Sequence, residues 1–352
     1  ANLKVKMALT VLNEGGRDLS IYFGMKDKFV TYKLDNLTIY DKTGNKVKKF
    51  GTQDLLPSLT FLGSDLYKDV YYNVLDPEFR TYPFTVEISY TVDYRQTFTL
   101  PDWMVARDKN ISIEKASFIM TAPYGFIIRY LEQNLPEECS TENDKEKTIY
   151  KWKFENLKAI EQEPFSLPAD RMSPAVYISP TNFEIAGRQG NCETWNNLGF
   201  FLKTLNEGRN ILPEDIKAKV TEMVSATPDT LELIRKLYAF MQESTRYVSV
   251  QIGIGGWQPI EAMNVAAKSY GDCKALSNYM KSLLDFAGIK SHYTVIYAGA
   301  DEMDIHESFP TNCFNHVILC VPHKPDTLWL ECTGRQRDTA RRQDRLRRQR
   351  VI

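Results

Sequence analysis

At 352 residues, with 43% hydrophobic and 25% charged side chains, the chain has a globular rather than a disordered balance and the length for two separately cored domains. No run approaches the roughly 18 uninterrupted apolar residues of a membrane span, so no integral membrane segment is expected. Residues 333–352 carry eight Arg and two Asp, a net +6 against −1 for the whole chain, which leaves −7 on residues 1–332 and argues against nucleic acid as a partner.

Residues 1–188 read as a β-rich first domain. Lys4–Leu12, Phe29–Tyr40, Thr85–Tyr94 and Thr148–Phe154 alternate apolar and polar positions or are rich in β-branched and aromatic types. Turn signals separate them at Asn13-Glu14-Gly15-Gly16, Lys42-Thr43-Gly44-Asn45 and Asp76-Pro77. Short strands at this spacing predict an antiparallel sandwich-like domain. It holds none of the four histidines and no catalytic constellation, so support or recognition is its expected role.

The character changes near residue 190, and residues 189–333 form the second expected domain. Glu193–Leu205, Pro213–Val224 and Thr230–Glu243 carry apolar residues three and four apart and predict helices. Arg246–Val250 reads as one strand, and the glycines at 253, 255 and 256 as a turn. Asp272–Ala287 is the clearest helix: Leu276, Tyr279, Met280, Leu283, Leu284 and Ala287 form one stripe, Asp272 can cap it and Gly288 can stop it. Ser291–Ala298, Phe314–Val321 and Thr327–Cys332 read as strands. Helices followed by strands make the fold class α+β.

The six cysteines show no CxxC pair and no dense framework. Cys273 stands apart because it begins the clearest helix, where unpaired N–H groups and the macrodipole favour a thiolate and its own N–H can face an oxyanion. Taken alone, a packed inert thiol is the better reading of such a position. A base is also required, and His292, His306, His316 and His323 are available, with His316 opening a convincing strand. Glu331 interrupts apolar neighbours; it either pairs with an imidazolium on the adjacent strand or faces solvent, and alternation permits both. Cys313-x-x-His316 and Cys320-x-x-His323 have a zinc-like spacing, but residues three apart on a strand face opposite ways, so neither metal nor cofactor is expected.

Tyr247-Val248-Ser249-Val250, Gly253, Trp257-Gln258-Pro259, Gly271-Asp272-Cys273-Lys274, Asn315-His316-Val317 and Trp329-Leu330-Glu331-Cys332-Thr333 occur in an order and spacing that resembles bacterial transglutaminase-like proteins. Residues 1–190 look like the β-rich domain of unknown function that often precedes that module. The resemblance implies a papain-like α+β domain with a catalytic triad: Cys273 as nucleophile, His316 as base and later acid, and Glu331 as the orienting carboxylate. Trp257 and Gln258 are candidates for lining the oxyanion or acyl pocket, with core packing of Trp257 and a solvated Gln258 as the alternative. It implies a cysteine protease or amidase acting on a peptide or protein substrate. Cross-linking acyl transfer with the same triad, or a catalytically inactive scaffold, are the alternatives. Export to the periplasm is a further expectation by analogy. Two departures stand out: the family's acid is mostly Asp where this chain has Glu331, and many relatives place an acid where it has Ala275. The Arg-rich tail, 334–352, is unlike the further sheet strands with which relatives usually continue, and its composition suggests an atypical or frame-shifted end.

Overall fold

The computed structural model of the protein describes residues 1–58, 65–68, 70–106, 110–159, 169–299 and 305–334. The Arg-rich tail therefore lies outside the described residues apart from Gly334. The architecture is α+β, with antiparallel sheets preceding the helices. Among the described residues no helix is long and apolar enough to cross a membrane.

Two compact units divide the chain: Ala1–Thr97 with Ser249–Gly256, and Phe98–Val248 with Trp257–Ile352. The expected boundary at 188/189 falls inside the second unit, within the strand Arg188–Asn191.

The first unit is built on a seven-stranded antiparallel sheet whose longest members run side by side, Asn2–Val11 at the edge, then Phe84–Tyr94 and Val30–Tyr40. Alternation buries Phe84, Val86 and Ile88 along one strand, as a period of two requires. Leu34 and Leu37 are both buried although three apart. The pairing register skips Asp35, and this bulge reverses the parity so that both leucines face the core.

In the second unit, three-stranded antiparallel sheets come first: Ile113–Pro123, Lys147–Leu157 and Ser140–Asn143 in one, Ile128–Gln133, Ala175–Pro180 and Trp103–Met104 in the other. Among the described residues the helices are, in chain order, α1 (Ala169–Met172), a single turn just before the strand Ala175–Pro180, and then, after the sheets, α2 (Trp195–Asn206), α3 (Glu214–Ala226), α4 (Thr230–Ser244), α5 (Ala262–Lys268) and α6 (Cys273–Phe286). The strands His292–Ile296, His316–His323 and Asp326–Leu330 form the final antiparallel sheet, with His316–His323 in the centre.

Helix α6 is the axis of this unit. Its apolar stripe packs with Val220 of α3, Leu237 and Met241 of α4, Val265 of α5 and Leu319 and Val321 of the sheet. Its polar side is buried too, and each group there is satisfied: Ser277 Oγ donates to Val317 O at 3.2 Å, Asn278 Nδ2 to Arg209 O at 2.7 Å and Ser282 Oγ to Asn278 O at 2.7 Å. Every residue from Cys273 to Met280 is buried, which holds the start of the helix in a fixed place.

Candidate active site

The chain reaches α6 through a short parallel pairing. Arg246–Tyr247 lies beside Tyr270–Gly271, and Val248 N donates to Gly271 O at 2.9 Å. Gly271 is required by close approach: a Cβ built there would stand 2.7 Å from Ala275 Cβ. Ala275 is itself fully buried over that glycine, so an acidic side chain at 275 would meet the core.

Asp272 caps the helix, its Oδ1 accepting Ala275 N at 3.0 Å, while Oδ2 receives Lys274 Nζ at 2.5 Å. Both side chains are almost wholly buried, with 2% and 5% exposed. The cation at Lys274 is thus committed to Asp272 and does not extend into solvent, and the Asp272 charge that would oppose a thiolate is offset. Cys273 follows at the first helical position, buried to 5% exposure. Its backbone N–H belongs to the amides that a helix start leaves without intrahelical acceptors.

His316 opens the central strand opposite Ile296. Asn315 fixes the approach, since its side chain donates to Ala298 O at 2.9 Å and accepts from Ala298 N at 2.7 Å. Glu331 lies one residue beyond the strand Asp326–Leu330, not within it as the sequence pattern suggested. Alternation therefore no longer governs its direction, and Leu330, Glu331 and Cys332 are buried in succession. Tyr238 OH donates to the Glu331 carbonyl and Gln242 Nε2 to Gly334 O, which draws this segment against α4.

The Glu331 carboxylate is fully engaged. Oε2 stands 2.8 Å from His316 Nε2, while Oε1 accepts from Thr333 N at 2.9 Å and Thr333 Oγ1 at 2.6 Å. With Nε2 committed, Nδ1 is the ring nitrogen left for Cys273. Burial works to lower the pKa of His316, but the neighbouring Cys273 sulfur and the Glu331 carboxylate outweigh it and raise it to about 9. Burial likewise opposes the Glu331 charge, yet His316 and Thr333 hold its pKa below the ordinary carboxylate value. A charged imidazole held on a carboxylate, with a sulfur near enough to raise its pKa, is a state suited to holding a thiolate and delivering a proton.

The other candidates sit elsewhere. His292 is exposed opposite Cys320, His306 packs on Tyr177 at 5.2 Å, and His323 pairs with Asp326 at the far end of its strand. Trp257 meets Phe98 at 5.8 Å in an aromatic cluster with Phe183 and Phe201, and Gln258 Nε2 donates to Leu205 O at 3.1 Å. Those contacts direct both residues towards packing. Burial pushes up the thiols of Cys192 and Cys320, that of Cys313 to about 12, and that of Cys332 further. Sequence reasoning gave Thr333 no role, although it follows the candidate acid by two residues and could reach back to its carboxylate.

Residues 3–161 match the family described as "Domain of Unknown Function with solved-structure structure (DUF3857)". No curated protein matches. Among solved structures, the chain is similar to a "putative protease" from Parabacteroides distasonis, with a TM-score of 0.69 and 14% identity over 94% of this chain. It spans 63% of that protein's chain. It also matches a "putative cysteine protease" from Cytophaga hutchinsonii, with a TM-score of 0.29, 9% identity, and coverage of 94% of this chain and 79% of that one. The first likeness defines a fold, an α+β architecture with a β-rich leading region.

Proposed function

We propose that the protein is a cysteine hydrolase of the transglutaminase-like, papain-like class, cleaving a peptide or amide bond through a thioester on Cys273. The observation that carries this reading is the 2.8 Å contact of His316 Nε2 with Glu331 Oε2, made beside a cysteine that begins a buried helix. A chain of the same fold being named a "putative protease" agrees with it.

In this reading the Cys273 thiolate attacks the amide carbonyl carbon, forming a C–S bond, and the Cys273 N–H faces the resulting oxyanion. Collapse breaks the C–N bond as His316 Nδ1 passes its proton to the leaving amine. The neutral imidazole then takes a proton from water, hydroxide attacks the thioester, and the carboxylic acid leaves with Cys273 restored. Glu331 remains ionised and keeps the ring oriented, as the acid of a Ser-His-Asp triad does.

The reading is tested by amine release from a peptide library, with the wild type active and Cys273→Ala and His316→Ala inactive. Iodoacetamide labelling adds an independent measure. Cys273 reacts ahead of the buried Cys192 and Cys332 and the half-buried Cys313, and its pH profile breaks near 9, where His316 loses its proton; His316→Ala removes the break. No turnover together with labelling of Cys273 no faster than of Cys139 would overturn the proposal. Incorporation of a labelled amine without hydrolysis would redirect it to acyl transfer.

A further inference from the structure

The segment 305–315 reaches His316 without helix or strand of its own. Contacts from elsewhere in the unit hold it: Trp195 Nε1 donates to Glu307 O at 2.6 Å, Asn312 Nδ2 to Thr99 Oγ1 at 3.1 Å and Ser179 Oγ to Pro310 O at 2.8 Å. Arg129, the cross-strand partner of Ser179, joins two parts of the chain at one nitrogen. Its Nη2 donates to Pro310 O at 2.7 Å and also to Cys192 O. Two hydrogen bonds to one nitrogen bring those carbonyl oxygens within about 6 Å of each other.

A cysteine stands on each side of this junction. Cys192 directly follows the strand Arg188–Asn191 and is 2% exposed. Cys313 comes three residues after Pro310, and the backbone turns back there, with Cys313 N donating to Thr311 O at 3.1 Å. Burial is the main cause of the raised Cys313 pKa, and the nearby Cys192 sulfur adds to it. Burial also raises the Cys192 pKa, while Ser179 and the Arg129 guanidinium work the other way.

We propose that Cys192 and Cys313 form a disulfide under oxidising conditions, and that this bond anchors the segment 305–315 ahead of His316. A disulfide needs Cα atoms within about 7 Å, a spacing that the shared Arg129 nitrogen and the turn at Cys313 permit. The bond closes a loop that holds α2 to α6, Cys273 included, so it constrains the unfolded chain as well as the fold. With glutathione disulfide as oxidant, the half-buried Cys313 thiolate attacks first; the S–S bond breaks and one glutathione leaves as thiolate. Cys192, beside Arg129, then attacks the Cys313 sulfur and displaces the second glutathione. The protein loses two protons and two electrons, and glutathione disulfide becomes two glutathione thiols. None of this chemistry rests on the proposed hydrolase function.

The test uses the reduced full-length protein, equilibrated with glutathione disulfide and glutathione at about pH 8.5, where free thiols exchange. Remaining thiols are alkylated with iodoacetamide and the digest is mapped without reduction. The expected product is a peptide pair joined through Cys192 and Cys313, lighter by two hydrogens and absent from Cys313→Ser. Hydrogen exchange of residues 305–315 slows in the oxidised protein, and dithiothreitol restores the faster rate. No protein disulfide, glutathione adducts alone, or predominance of another pair such as Cys273 with Cys332 overturns the bond. Unchanged exchange at 305–315 in the linked protein overturns its anchoring role. Absence of turnover in both redox states, with the link present, refutes the hydrolase alone.

Discussion

Replacing Glu331 by Gln isolates the charge of the candidate acid from its shape. The amide keeps an oxygen for Thr333 N and Oγ1 but presents an N–H group to His316 Nε2, where the carboxylate now accepts at 2.8 Å. The rise of the His316 pKa from 6.5 to about 9 corresponds to roughly 3 kcal/mol in favour of the charged ring. Burial opposes that rise, so Cys273 and Glu331 together contribute more than the net amount, and the loss of the Glu331 charge is on the order of 1–2 kcal/mol. A group whose pKa is raised on folding contributes fully below its unfolded value and loses the contribution as pH rises through its folded value. For His316 the full contribution therefore holds below about 6.5 and fades through about 9. Glu331 has the opposite sign, its contribution present above the usual carboxylate range and lost as pH falls. Urea unfolding at pH 6 and pH 10 measures the difference: Glu331→Gln destabilises more at pH 6 than at pH 10, by about 1–2 kcal/mol. Proton NMR of the His316 ring gives the matching result, a titration displaced to well below 9. An unfolding difference that does not change between the two pH values, with the ring still titrating near 9, would refute this account of the pair.

Gly271→Ala forces a Cβ to 2.7 Å from Ala275 Cβ and costs about 1–3 kcal/mol by overpacking, read as a lower thermal midpoint; an unchanged midpoint would mean the start of α6 is not tightly seated. Lys274→Met leaves Asp272 charged and buried and costs about 3–5 kcal/mol in urea unfolding, much of it recovered in the double variant with Asp272→Asn, which keeps an oxygen for the Ala275 N–H. A double variant no more stable than Lys274→Met would show that the pair does not act as one.

The long strands and helices were legible because their periodicity records burial. Predicted Phe29–Tyr40 and Thr85–Tyr94 match observed Val30–Tyr40 and Phe84–Tyr94, and Thr230–Glu243 matches α4. Helix α5 escaped notice because seven residues are too few for a repeating stripe, and its αL stop falls on Ser269, not on a glycine. Arg246–Val250 read as one strand, but Arg246–Tyr247 pairs with Tyr270–Gly271 while Ser249–Gln251 pairs with Asp65–Lys68. One continuous pattern thus conceals a change of partner. The buried polar side of α6 was illegible for a related reason: Ser277 and Asn278 find their acceptors 40 and 69 residues away in the chain.

The departure at Glu331 shows most sharply what residue type leaves unsaid. The resemblance read from the sequence implies an acid at this position, most often Asp. The strand, however, ends at Leu330, and the carboxylate must reach His316 with one oxygen while the other accepts two bonds from Thr333. The additional methylene of Glu, with one more rotatable bond, lets a single carboxylate meet both demands from a residue already turning away from the sheet. Thr333 in turn limits which way that longer side chain can rotate, supplying the constraint that a shorter acid would carry in its own geometry. The substitution and the threonine two residues later are therefore one feature, visible in the sequence as two unrelated letters and intelligible only once the chain has folded around His316.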